Sequence, residues 1–340
     1  MRIAIDAMGG DHGPAEAVRA AAVISRTEQS PSLLLVGDRD LLGHELQLVE
    51  HDHDKIAIQH AAQVIEMHDS PGEAIAAKPD ASVIVAARAV AGREADALVS
   101  CGNTGALLIA SGRLIGRIEG VRRAALAAVI PTETRRGEKQ DPFALMLDVG
   151  ATLDVDASDL VAFAVMGHAY AARIGRNPRP RVALLANGSE PHKGSAAIVE
   201  AHQLLASRRD LDFIGNIEGV DIPAGIADVI VTGGFVGNVV LKMLEGVSAT
   251  VMRLARYAYR TKLTWKIGLW MLASGIRRLK QFTDWQQYGG APILGLNQVC
   301  IKAHGRSRER AIGNAIKVAT RAVRTDLVGA IRSGVNKASR

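Results

Sequence analysis

An α/β fold, an α/β/α sandwich around a mostly parallel sheet, is what this 340-residue chain predicts. Three observations carry the expectation. Short runs rich in Val, Ile, Leu and Ala alternate with longer segments of helical periodicity. Several of those runs end in glycine-containing turns that open a helix. The composition, 48% hydrophobic with 34 glycines, suits a chain able to bury a large core as a single α/β domain spanning 1–340 or as two lobes. No internal repeat or low-complexity tract stands out. The best candidate for a crossing between lobes is Asn177-Pro-Arg-Pro180, a tight connection before a strand.

In chain order, residues 2–5 form a first strand and residues 15–25 a helix with Pro14 at its first position, where the missing N–H costs nothing. Further strands are expected at 33–36, 97–100, 124–130, 143–149, 181–186, 213–215 and 228–232. Helices are expected at 71–77, 82–91, 105–115, 158–174, 194–207, 236–259, 264–280 and 307–331. Ser70-Pro71-Gly72-Glu73 has the form of a capping box, a structural signal only.

The first fourteen residues organise the rest. Behind the first strand come Asp6, Gly9, Gly10, Asp11, His12 and Gly13. Glycines let a backbone approach a ligand closely and leave N–H groups free for an anion beside a helix N-terminus. The plain alternative is a capped βα turn. Later strands end similarly: in Cys101-Gly-Asn103-Thr104, in Asn187-Gly-Ser-Glu-Pro-His-Lys193-Gly194, in Gly233-Gly-Phe-Val-Gly-Asn238, and in Lys302-Ala-His304-Gly-Arg306. In open α/β sheets, ligands bind outside the carboxyl ends of the strands, so these turns predict an anion site.

Missing motifs narrow the chemistry. There is no ATP-type P-loop, no dinucleotide fingerprint, no nucleophile elbow and no H-E-x-x-H. His51-Asp-His53-Asp54 invites a metal, but such a polar stretch reads as a solvated loop, and Asp154-Val-Asp156 lacks the glycine and glutamate of a calcium loop. No metal or cofactor is expected. Cys101 is either a nucleophile without an evident base or a small buried residue.

Two cysteines fit a reducing cytosol, and the start shows no signal peptide. No run reaches the roughly 18 apolar residues that span a bilayer, so a cytoplasmic location is expected. The net charge of +6 hides an asymmetry: from Arg253 onward there are 18 basic and 3 acidic residues. That segment asks for an acidic partner, whether carrier protein, anionic lipid or nucleic acid. Nucleic-acid binding would rest on this basic segment alone and is not expected. All three tryptophans fall within 254–288. Trp265, Leu269, Leu272 and Ile276 share an apolar stripe, widened by Trp270 and flanked by Lys262 and Lys266. An interfacial membrane helix needs this combination, and a helix buried in a homodimer interface or core would show it too.

Six strings resemble one family along nearly the whole chain: IAIDAMGGDHGP (3–14), ADALVSCGNTGA (95–106), RVALLANGSEPHKG (181–194), GNIEGVD (215–221), GGFVGNVVLK (233–242) and YGGAPILGL (288–296). The family is the bacterial acyl-ACP:phosphate acyltransferase (PlsX) of phospholipid synthesis. The resemblance implies a fold like the isopropylmalate dehydrogenase and phosphotransacetylase group, a helical hairpin over 236–288, and a homodimer loosely attached to the inner face of the cytoplasmic membrane. It also implies transfer of a fatty acyl group from acyl carrier protein to inorganic phosphate. On that footing Asp6, Gly9, Gly10, Gly13, Gly102, Asn103, Thr104 and Gly194 are candidates for phosphate binding. Lys193 would help hold phosphate, Asn238 would serve as oxyanion donor, and His12 or His304 would shuttle a proton to sulfur. Arg253, Arg256, Arg260, Arg306, Arg308 and Arg310 are candidates for carrier docking. The chain departs from the family pattern at Gly233, Thr152 and Cys101, which keeps a non-catalytic membrane scaffold as a rival. A nicotinamide-dependent dehydrogenase is the rival at the level of fold.

Overall fold

The computed structural model describes residues 1–136, 141–262, 264–265, 268, 271–272 and 289–338. Eleven strands form one sheet: β1 (Arg2–Asp6), β2 (Ser32–Gly37), β3 (Ile56–His60), β4 (Ala97–Ser100), β5 (Ala125–Arg136), β6 (Asp141–Leu147), β7 (Arg181–Leu185), β8 (Asp212–Ile217), β9 (Val229–Val231), β10 (Ala291–Leu294) and β11 (Val299–Lys302). Their spatial order is β3-β2-β1-β4-β11-β10-β5-β6-β9-β7-β8.

Neighbours are parallel from β3 to β11 and again from β6 to β8. The three central pairings, β11 with β10, β10 with β5 and β5 with β6, are antiparallel. Three successive reversals leave the β6–β8 half running opposite to the β1–β4 half. The carboxyl ends of the two parallel blocks therefore point to opposite ends of the sheet.

Both faces are covered, as the apolar strands require. Ile3, Ile5, Leu33, Leu35, Val99, Leu145, Val182 and Val229 join one buried cluster, and the alternate residues Ala4, Leu34, Leu98, Met146, Ala183 and Ile230 join the other. Helices α1 (Gly13–Ser25), α6 (Ala157–Arg173), α7 (Ala196–Ala206), α10 (Glu309–Arg324) and α11 (Leu327–Ala338) add side chains to the first cluster. On the opposite face lie α3 (Pro71–Ala77), α4 (Ser82–Ala91), α5 (Thr104–Leu114), α8 (Asp221–Ala224) and the root of α9 (Gly234–Thr261). Helix α2 (Arg39–Gln47) seals the outer edge through Leu42 and Leu46.

The structure corrects several expectations. β3, β10, β11, α2 and α8 were not anticipated. The expected helix at 307–331 is two helices: Asp326 takes the left-handed conformation (φ 48°), and its carboxylate accepts the Gly329 N–H at 3.1 Å, ending one helix and starting the next. Ser70 caps α3 in position but without a side-chain bond, so the capping box is not formed. Helix α9 is long and apolar enough to cross a membrane by length and composition, although no contiguous apolar run signals it. The second arm of the expected hairpin, including Leu269, Trp270 and Ile276, lies outside the described residues.

Candidate functional site

Three strand ends stand side by side in register. Asp6 of β1 pairs with Ser100 of β4, and Ser100 with Lys302 of β11. Strand alternation turns all three side chains to the same face of the sheet, and all three are buried. Ser82 Oγ donates to Asp6 Oδ1 and Ser100 Oγ to Asp6 Oδ2, each at 2.6 Å. Lys302 Nζ donates to the carbonyl of Cys101 at 3.2 Å and to that of Ala303. Burial pushes the Asp6 carboxyl up, partly offset by the two serines, the Gly9 N–H and Lys302. Burial pulls Lys302 down, opposed by nearby Cys101, Asp6 and Asp11. An aspartate and a lysine thus share a dry floor, each reducing the cost of the other.

Three turns close over this floor. The Asp11 N–H donates to the Gly305 carbonyl at 2.8 Å, joining the first turn to the last. A Cβ on Gly9 would lie 2.6 Å from the Gly102 nitrogen and 2.7 Å from Asp6 Oδ2, so only glycine allows the first and second turns to touch. The Gly102 N–H is held by Ser100 Oγ at 3.0 Å. His304 stands exposed at the rim; its Nδ1 accepts the Arg306 N–H at 3.2 Å, which leaves the neutral ring's proton on Nε2. Burial and then the Lys302 charge lower its pKa, while Glu245 and Lys242 of α9 act on it with opposite signs. On balance the neutral ring is favoured.

The structure brings Asp6, Gly9, Gly10, His12, Gly13, Gly102, Asn103, Thr104 and His304 to this one rim. Two of them have tasks other than those expected. Both Asp6 oxygens are already occupied and its charge repels phosphate, so Asp6 braces the turns. Asn103 caps α5, accepting from Ala106 N at 3.1 Å and donating to Asp69 O at 3.0 Å, so only its backbone faces the turn. Cys101 is buried and its thiol is pushed up to about 12 by burial, which removes it as a nucleophile. Lys302 was placed in a site turn but given no role, because β11, the strand that buries it, was not anticipated.

Lys193, Gly194 and Asn238 do not join this rim. They follow β7 and β9, whose carboxyl ends face the other way. Asn238 Nδ2 donates to the Val149 carbonyl at 3.1 Å, holding α9 against the turn after β6. The turns that follow β7 and β9 thus open toward the other end of the sheet, while α9 itself runs back far enough for Lys242 and Glu245 to act on His304.

Arg306 and Arg308 are exposed at the start of α10, with Arg310 one turn further on. Arg253, Arg256 and Arg260 line the far half of α9. Trp265 and Leu272 are exposed, and the Lys262 ammonium lies 5.1 Å from the Trp265 ring centre. Among the described residues no cluster of His, Cys, Asp or Glu could hold a metal ion.

The architecture, two opposed parallel blocks in one sheet, is that of the phosphotransacetylase fold. A phosphotransacetylase from Streptococcus pyogenes superposes with a TM-score of 0.63 at 16% identity, covering 96% of this chain and 94% of that one. A 4-hydroxythreonine-4-phosphate dehydrogenase from Klebsiella pneumoniae gives 0.52 at 14% identity over 95% and 99%. These likenesses define the fold.

Sequence likeness goes further. The family model described as fatty acid synthesis protein matches residues 1–329. A phosphate acyltransferase from Thermoanaerobacter pseudethanolicus is 37% identical over 98% of this chain and 97% of its own length, and one from Brevibacillus brevis is 40% identical over 99% and 98%. The chain belongs to the fatty acid synthesis protein family and is an acyltransferase.

Proposed function

We propose that the protein transfers a fatty acyl group from acyl-acyl carrier protein to inorganic phosphate, giving acyl phosphate for glycerophospholipid synthesis. The names of its relatives support phosphate as acceptor, and the Asp6–Ser100–Lys302 floor under three glycine-bearing turns is the observation that carries the reading. Phosphate would lie against the backbone of the 9–13 and 102–104 turns, within the positive potential of Lys302 and α5's N-terminus. It is already anionic, so no side chain needs activating as nucleophile.

A phosphate oxygen attacks the thioester carbon, the C–S bond breaks, and the proton of hydrogen phosphate ends on sulfur. A thiol of pKa about 8.5 is a good leaving group that needs little help. His304, at the rim, is the candidate for passing a proton between phosphate and the departing sulfur. His12, at the start of α1 on the same rim, is the alternate for this role.

Arg306, Arg308 and Arg310 flank the site and suit the acidic carrier. The far half of α9, with Trp265 and its lysine, suits an anionic membrane surface from the cytoplasmic side. The apolar stripe of Phe235, Val239, Met243, Val247, Val251 and Leu254, all exposed, suits the homodimer that the resemblance implies.

The deciding experiment mixes purified protein with palmitoyl-carrier protein and follows the free carrier thiol. Release should depend on added phosphate and be matched by acyl phosphate. Release without phosphate, or none, overturns the reading.

A further inference from the structure

We infer that Met67, on the loop between β3 and α3, is a specificity-determining residue that admits inorganic phosphate to the rim and turns away phosphate monoesters. This rests on the reading that phosphate is the acyl acceptor and lies against the 9–13 and 102–104 turns. A monoester carries similar charge and keeps oxygens able to attack a thioester, so its chemistry alone does not bar it as acceptor. Exclusion has to come from shape, and a side chain fixed at the rim has to supply it.

The loop, residues 61–70, is fastened to the second phosphate turn. Asn103 Nδ2 donates to the Asp69 carbonyl at 3.0 Å, and at longer range to those of Glu66 at 3.3 Å and Met67 at 3.4 Å. A Cβ on Gly105 would lie 2.5 Å from Pro71 Cγ, so the first turn of α5 is flush against the start of α3. The loop is also braced within itself. The Asp69 carboxylate accepts the Glu66 N–H at 2.9 Å and the Lys78 ammonium at 2.6 Å, and the same ammonium donates to the Val64 carbonyl at 2.9 Å. Ile65 is buried and anchors the segment in the core. The result is a cross-braced bracket, and Asn103 is its attachment to the site.

The bracket carries Met67 across to the last turn. A Cβ on Gly305 would lie 2.8 Å from Met67 Cε and 3.4 Å from Asp11 Oδ1. The Gly305 carbonyl accepts the Asp11 N–H, and it lies 3.1 Å from where a Cβ on Gly10 would stand. The Met67 methyl therefore rests at the seam between the first and last turns, on a segment tied to the second. The side chain is 41% exposed, an apolar group on a rim built otherwise of backbone and polar side chains. With one phosphate oxygen turned to the acyl carbon and the others against the turns, a carbon on any of those others needs space that the turns or Met67 already fill. Moving Met67 aside means pulling the bracket from Asn103, so the side chain acts as a fixed stop.

The test titrates phosphate and methyl phosphate into the full-length protein by calorimetry at pH 8, where both are chiefly dianionic, and reads the ratio of their dissociation constants. The parent should bind methyl phosphate at least about tenfold more weakly, the scale of forcing one extra carbon into filled space. Met67→Ala should shrink that ratio about fivefold or more, and Met67→Leu, which refills the space, should keep most of it. Asn103→Ser keeps an oxygen that caps α5 but does not reach the loop carbonyls, and it should shrink the ratio as well. Equal binding of the two ligands by the parent, a ratio unmoved by Met67→Ala, or one lost equally in Met67→Leu would each overturn the inference. Failure of the proposed reaction shows itself separately: a parent that discriminates as expected, with the ratio lost in Met67→Ala, yet releases no thiol from any donor supports the role of Met67 and refutes the reaction.

Discussion

Replacing Lys302 with methionine tests the floor of the site most directly. The change keeps the length of the side chain and removes one buried positive charge. Two consequences add. Asp6, 3% exposed, loses the attraction of a nearby ammonium, and the Cys101 and Ala303 carbonyls lose a donor. Leaving buried carbonyls without their donor and a buried carboxyl without a nearby cation costs about 1–3 kcal/mol, which at roughly 2 °C per kcal/mol for a chain of this size lowers Tm by about 2–6 °C. The pH dependence has a definite sign. Burial raises the folded-state pKa of Asp6 above its unfolded value of 3.8, so the folded state binds the proton first. Its ionised form is a liability that grows as pH rises through the folded pKa and fades as pH falls towards 3.8. Without Lys302 that pKa rises further, so the gap between variant and parent should be wide at pH 8 and narrow at pH 5. Urea unfolding at both pH values, with Asp6→Asn added as a second change, measures it. The double variant should recover at least 1 kcal/mol relative to additivity. A single variant as stable as the parent at pH 8, or strict additivity in the double, would refute the account of Asp6 and Lys302 as a mutually dependent pair.

Three other outcomes follow from the site. His304→Gln should lower kcat for phosphate-dependent thiol release about a hundredfold or more while leaving the phosphate KM near the parent value, because the ring donates to reacting atoms and not to bound phosphate. Gly9→Ala should cost about 1–3 kcal/mol in unfolding measurements, since its methyl meets the Gly102 backbone at 2.6 Å, and should raise the phosphate KM by parting the two turns. With palmitoyl-carrier protein, kcat/KM should fall steeply between 50 and 300 mM salt, and Arg306→Ala with Arg308→Ala should remove most of that dependence without touching turnover on a small thioester.

Much of this was legible in the chain. Short, nearly continuous apolar runs marked the strands that are buried on both faces, and a glycine soon after a strand marked each turn that approaches another backbone. The rim at Gly9, Gly102 and His304 followed from those glycines. Direction was not legible. Whether Lys193 and Asn238 face the same way as Gly10 depends on three reversals around β10 and β5, and β10 is four residues long with a proline inside it. Lys302 was hidden for a related reason: its burial depends on a register across β4 and β11 that no local pattern encodes.

β11 enters the sheet between β4 and β10, so the amino-terminal half is completed by residues near the end of the chain. Cys101 waits for Lys302, 201 positions later. At synthesis rates of about 5–20 residues per second, that is a delay of roughly 10–40 s during which β4 presents an unpaired apolar edge on the ribosome. The newborn chain thus has a window in which chaperone binding or mispairing competes with completion, and a nonsense codon anywhere before residue 299 leaves even the first turn without its floor.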